Sequence, residues 1–277
     1  REKAPLTAHK KMYLNDRGDV IDNITLIGGQ AAGVPGTVAG FWEAHQRFGQ
    51  LPWKDLVQPA IELADKGFMP APILVESIHS MEQRFEGRTN FNDYFNSISS
   101  DSLFRQPELA NTLRRIAEFG ADDFYRGETA ALIVQQMEKS NGLISLEDLD
   151  AYAAVWRAPV RAGWRDYEII SAPPPSSGGF AIVQLLKMKD YLSELFEGVE
   201  HNSAQYIHLV AEMEKRVFAD RAEYLGDPDF YDIDIDALID DDYLARRAAE
   251  VNPKAISVVN SVNPGLESPN TTHYSIV

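Results

Sequence analysis

Apolar residues recur at steps of three and four along most of the chain, the spacing of one buried helix face. Val38, Phe41, Trp42 and His45 predict a helix from about Thr37 to Phe48. It is opened by a flexible run holding Gly28, Gly29, Gly33, Pro35 and Gly36, and stopped by Gly49. Leu56, Val57, Ala60, Ile61 and Ala64 predict a second helix from Trp53 to Asp65, with Gly67 as its C-cap. Pro59 inside that pattern implies a kink or a restart. Ile73, Val75, Ile78 and Met81 place a third over 72–85, and the polar stretch 87–106 reads as a surface loop. Helical patterns return at 107–119 and 128–139, and Ser145-Leu146-Glu147-Asp148 resembles a capping turn before a short helix. Strand patterns cover 153–161 and 165–171, and Asn15–Asp19 is a turn between two shorter strand-like runs. A proline run at 173–175 then feeds a long helix to about Phe196. Ser203 N-caps the longest helix, 204–225, whose stripe is Tyr206, Leu209, Val210, Met213 and Val217. An acidic stretch at 227–242, a short helix at 241–250 and a loop after Pro253 lead to an alternating run, 273–277, that reads as a strand. Helices outnumber strands, and the strands are short and separated. That pattern predicts a mixed α/β layer architecture with its sheet only partly present.

Composition narrows the classes. A length of 277 residues predicts about two domains or one large α/β domain. Acidic residues exceed basic ones by 42 to 26, a net charge of −16, which opposes a nucleic-acid or anionic-membrane partner. No apolar run approaches the roughly 18 residues of a membrane-spanning helix. With no cysteine, disulfides, thiolate catalysis and cysteine-based metal sites are excluded. The start at Arg1 without a Met, with no signal-peptide pattern, and the strand-like stop at Val277 together read as a piece of a longer protein.

Candidate chemistry is sparse. Six histidines include no HExxH pair, and His45 and His208 read as packing or surface residues. Asp227, Asp229, Asp232, Asp234 and Asp236 lack the glycine and closing glutamate of an EF-hand loop, so a solvated loop is the better reading. The glycines at 28–36 form neither a dinucleotide fingerprint nor a P-loop. Ser176-Ser177-Gly178-Gly179 fits an anion site at a helix start, or equally a helix cap. Asn270-Thr271-Thr272-His273-Tyr274-Ser275 is the sharpest signal. A threonine hydroxyl is a weak nucleophile, but a threonine at a new N-terminus carries its own base. That α-amine has a reference pKa near ~7.7–8.0, which leaves a useful free-base fraction at neutral pH. Taken alone, the run is better read as a threonine-rich strand start.

Six stretches give the context. They are Arg1-Glu2-Lys3-Ala4-Pro5, Gly33 to Gly40, Leu51-Pro52-Trp53 through Ile61, Pro173 to Gly179, Phe218 to Pro228, and Thr271-Thr272-His273-Tyr274-Ser275. Together the chain resembles the γ-glutamyltranspeptidase family of N-terminal-nucleophile hydrolases over its whole length.

The resemblance implies a four-layer αββα sandwich, of which this chain holds the helix-rich large-subunit part with its sheet incomplete. It implies a large-subunit portion over 1–270 and the first residues of the small subunit over 271–277. The precursor would cut itself at Asn270–Thr271. Thr271 would then attack γ-glutamyl amides such as glutathione, and the γ-glutamyl ester would pass to water or an amine acceptor. Arg1 matches the family arginine that grips the donor's α-carboxylate, a role suited to a bidentate guanidinium. No cofactor or metal is implied. The partners implied are the small-molecule donor and acceptor and the small subunit of the same precursor, in a periplasmic or extracellular setting. Without the rest of the small subunit, the chain is expected to lack most of an active site. Cephalosporin and glutaryl acylases of the same superfamily, or a non-catalytic family member, are the alternatives.

Overall fold

A computed structural model describes residues 1–266; Asn270, Thr271 and the strand-like run 273–277 lie outside the described residues. The chain divides at Val155/Trp156 into two units, each with its own core.

The first unit is helical. Helix α1 (Thr37–Phe48) and helix α2 (Trp53–Lys66) match the periodicity closely. Pro59 does not restart α2. It sits on the exposed side, so the carbonyl that loses its partner faces water. The buried stripe of α2 is narrower than its apolar pattern: Ile61 and Ala64 are buried, whereas Leu56 and Ala60 are exposed. Helix α3 (Pro72–Phe85) buries none of its residues fully.

The stretch 87–106 departs from the surface-loop reading. It holds helix α4 (Phe91–Phe95), and Ile98 and Phe104 are buried. Phe85, Phe91, Phe95 and Phe104 pack ring against ring in sequence, with centroids 4.7–5.9 Å apart. Backbone bonds in both directions join Phe104 to Phe68. Asparagines and serines between the aromatics masked this core. Helix α5 (Pro107–Phe119) packs on α2, where the Trp53 indole donates to the Ile116 carbonyl at 2.9 Å.

Helix α6 (Ala121–Arg126), absent from the sequence reading, is a six-residue turn between Gly120 and Gly127. Buried Asp123 fixes it, accepting from the Glu128 amide at 3.1 Å, from Arg115 at 3.4 Å and from the Thr129 hydroxyl. Helix α7 (Glu128–Lys139) and helix α8 (Leu146–Asp150) follow, the latter with a complete Ser145–Asp148 capping box. Val34, Tyr125, Ala130, Ile144, Leu149 and Tyr152 form the core of this unit.

The second unit holds the two strands found among the described residues, β1 (Val160–Trp164) and β2 (Tyr167–Ser171), an antiparallel hairpin pairing Val160 with Ser171 and Trp164 with Tyr167. The first strand starts at Val160 rather than 153. Pro159 cannot donate to a ladder, and pairing begins only after it. The predicted long helix is two: α9 (Gly178–Tyr191) and α10 (Ser193–Phe196), broken at buried Leu192. Helix α11 (Ala204–Tyr224) is capped as expected, the Ser203 hydroxyl accepting from the Tyr206 amide at 3.2 Å. The acidic stretch is not wholly solvated. Helix α12 (Ile235–Leu238) buries Leu238, and helix α13 (Asp241–Ala249) buries Tyr243, Leu244, Arg247 and Ala248. Phe180, Val183, Leu209, Met213, Val217 and Leu244 fill the core.

Inside α11, buried Glu212 takes hydrogen bonds from Lys215 at 2.6 Å, the Ser257 amide at 3.0 Å and Arg216 at 3.1 Å. Burial alone would raise its pKa, but these donors outweigh that and hold it down to about 2. Its stabilisation is therefore fully present above its ordinary 4.5 and is lost as pH falls toward 2. Glu212→Gln is expected to lower the urea midpoint at neutral pH, with the gap to the parent closing between pH 4.5 and 2. A gap unchanged across that window contradicts the assignment.

Candidate functional site

Arg1 is an exposed residue at the edge of the first unit. Its backbone is held by its neighbours. Lys3 and Val34 exchange two backbone bonds, at 3.1 and 2.8 Å, and the Leu6 amide donates to Asp148 at 2.6 Å. The Tyr152 hydroxyl donates to the Arg1 carbonyl at 2.5 Å. Tyr152 in turn stacks on Tyr125, with centroids 5.4 Å apart and planes 10° from parallel. The Tyr125 hydroxyl donates to the Pro35 carbonyl at 2.8 Å and accepts from the Ala39 amide at 3.3 Å. Burial pushes the Tyr125 phenol up to about 12. Burial also raises Tyr152, against the pull of the nearby Arg1 charge. Both phenols therefore stay protonated and keep donating at any physiological pH. A Cβ on Gly36 would strike the Tyr152 hydroxyl and the Arg1 carbonyl, so the glycine is a requirement of close approach.

A second constellation lies in the second unit and was not foreseen. Asp220 of α11 is 1% exposed. Its carboxylate accepts from the Tyr243 hydroxyl at 2.6 Å, Arg247 at 3.0 Å, the Gly265 amide at 3.0 Å and Gln184 at 3.3 Å. Burial raises its pKa, opposed by Tyr243, Arg247 and the other donors. One turn on, the Tyr224 hydroxyl donates to the Leu266 carbonyl at 2.6 Å. A signal for this cluster existed. Asp220 and Tyr224 continue the apolar stripe Leu209, Met213, Val217 at steps of three and four, where a carboxylate has to find partners indoors.

Other candidates resolve quietly. His45 bonds the Leu51 carbonyl at 2.8 Å and packs between Trp42 and Trp53, and His208 bonds the Asn252 carbonyl at 2.9 Å. Ser177, at the N-cap position of α9, makes no side-chain capping bond; its hydroxyl accepts from Arg221 at 3.0 Å, and the Ser176 hydroxyl accepts from the Gly178 amide at 3.3 Å. Among the described residues no cluster of three or more His, Asp or Glu side chains is placed to hold a metal ion, and no helix is long and apolar enough to cross a membrane. Arg1 is thus the one proposed site residue within the described part; Asn270 and Thr271 lie outside it.

The architecture has solved counterparts. A γ-glutamyltranspeptidase from Pseudomonas nitroreducens complexed with L-DON superposes with a TM-score of 0.93 at 53% identity, covering 96% of this chain and 80% of that one. The Helicobacter pylori γ-glutamyltranspeptidase gives 0.91 at 35% identity, covering 98% and 79%. The fold is that of an N-terminal-nucleophile hydrolase, represented here by its helix-rich large-subunit part. A family model described as gamma-glutamyltranspeptidase matches residues 1–277, and the chain belongs to that family. A glutathione hydrolase proenzyme from Pseudomonas aeruginosa is 54% identical over all of this chain, which spans 50% of that relative's length. Acylase proenzymes of Pseudomonas are more distant, at 32% identity or less.

The packing around Arg1 makes a stability prediction. Tyr152→Phe removes one hydrogen bond and is expected to cost about 1 kcal/mol. Gly36→Ala forces backbone as well as side chain to move and is expected to cost ~1–3 kcal/mol. Urea denaturation checks the order, and a neutral Gly36→Ala would contradict the close approach.

Proposed function

We propose that the full-length protein is a γ-glutamyltransferase/glutathione hydrolase, matured by self-cleavage at Asn270–Thr271. The observation that carries this is identity of 54% over the whole chain with a glutathione hydrolase proenzyme, joined to a Thr-Thr-His-Tyr-Ser run at 271–275. On this reading residues 1–270 are the large-subunit portion and 271–277 begin the small subunit. The Thr271 hydroxyl first attacks the carbonyl of Asn270, the peptide becomes an ester, and water releases it. The freed Thr271 amine then takes the proton as the hydroxyl attacks the γ-carbonyl of a donor such as glutathione. The amine of the leaving group departs with a proton, and water or an acceptor amine resolves the γ-glutamyl ester. Arg1 pairs with the donor's α-carboxylate, and its fixed backbone limits how far the guanidinium wanders. The setting is periplasmic or extracellular, in keeping with the family resemblance.

Two measurements test the reading on the full-length protein. Thr271→Ala is expected to leave a single uncut band on a denaturing gel; normal cutting would remove Thr271 as nucleophile. Arg1→Ala loses a charge-assisted pair worth about 2–5 kcal/mol when desolvated. Turnover of a γ-glutamyl anilide is then expected to fall by at least roughly 30-fold. Equal activity on donors with and without the α-carboxylate would favour an acylase instead.

A further inference from the structure

The Asp220 cluster has a feature that a core ion pair does not need. Three of its donors come from helices: Gln184 on α9, and Tyr243 and Arg247 on α13. The fourth is the backbone amide of Gly265, in the segment that leads toward Thr271. A Cβ on Gly265 would collide with the Arg247 side chain and would lie 2.6 Å from the Tyr243 hydroxyl, so the chain is drawn directly onto the cluster. The next residue is gripped too. Tyr224 donates to the Leu266 carbonyl, and the Leu266 side chain packs against the core of the second unit. An amide is accepted, the following carbonyl is bonded, and the side chain between them is packed. A protein holds a peptide substrate beside its scissile bond in the same way.

Resting on the self-cleavage reading above, we propose that Asp220 and Tyr224 form a clamp on Gly265–Leu266 that positions the upstream flank of the Asn270–Thr271 bond for self-cleavage. Four residues separate Leu266 from that bond. A fully extended chain advances at most about 3.6 Å per residue, so an anchor there restricts where the Asn270 carbonyl can meet the Thr271 hydroxyl. Intramolecular attack depends steeply on such placement; a misplacement of about 1 Å costs on the order of 100-fold. Asp220 and Tyr224 act on that bond through Gly265 and Leu266. They are positioning residues for maturation, and turnover of donors by the cut enzyme does not require them.

The test uses the full-length precursor, followed from synthesis on denaturing gels. Tyr224→Phe removes the bond to Leu266 without touching the Asp220 carboxylate, and Gly265→Ala displaces the amide. Each is expected to slow first-order cutting by at least about ten-fold. The kcat and KM of the molecules that have been cut, counted per new N-terminal threonine, are expected to match the parent. For Tyr224→Phe the thermal midpoint is expected to fall no further than for Tyr152→Phe, which likewise loses one hydrogen bond. Cutting at the parental rate in both variants overturns the clamp, as does a parallel fall in cutting rate, kcat and thermal midpoint, which marks a purely structural role. Failure of the underlying reading looks different: Thr271→Ala would be cut like the parent, or the parent would not be cut at all.

Discussion

A carboxylate buried in the middle of a helix has to be met by donors from elsewhere, and Asp220 imposes that demand on the second unit. Isolated in an apolar interior, the charge would cost several kcal/mol. Four donors from α9, α13 and the segment after Val262 meet it. Satisfying one group therefore fixes the mutual placement of three helices and a loop. The apolar contacts of Phe180, Leu209, Met213 and Leu244 supply most of the burial, but they would tolerate sliding. The hydrogen-bonded node does not, because any shift strands a charge. Glu212, two turns earlier on the same helix, repeats the device against Ser257 and ties down the preceding part of the same segment.

The first unit answers a different constraint. Arg1, proposed above to grip the donor, is exposed, and a long side chain places its head group only if its root is held. The root is held through backbone, by Tyr152 on the Arg1 carbonyl and by the Lys3–Val34 bridge. Stacking of Tyr152 on Tyr125 fixes the donor, and Gly36 keeps the approach open.

The long helices were legible because their apolar period and caps agreed. The boundaries of α1, α3, α5, α7 and α11 follow from Gly49, Pro72, Pro107, Glu128 and Ser203 acting where the pattern starts or stops. What escaped was burial carried by residues that look polar in company. Aromatics spaced among asparagines and serines built a core in 87–106, and α6 was too short for periodicity to register between its two glycines. The hairpin was shifted because Pro159 was counted as strand, although it has no amide to pair. For the site, motif resemblance marked Arg1 and Thr271, but nothing local could reveal that Tyr152 meets Arg1 from 151 residues away. Asp220 sat in plain view on the buried stripe of α11, yet its partners come from 23 to 45 residues further along and from 36 residues before.

The glycine at 265 carries a consequence for how such a sequence can drift. Its lack of a side chain is demanded by Arg247 and Tyr243, its amide is demanded by Asp220, and Arg247 is itself demanded by that carboxylate. No member of this set can change first without leaving another buried and unmatched. A single substitution here strains its neighbours, so across related chains these positions are expected to vary together more than the surrounding core does.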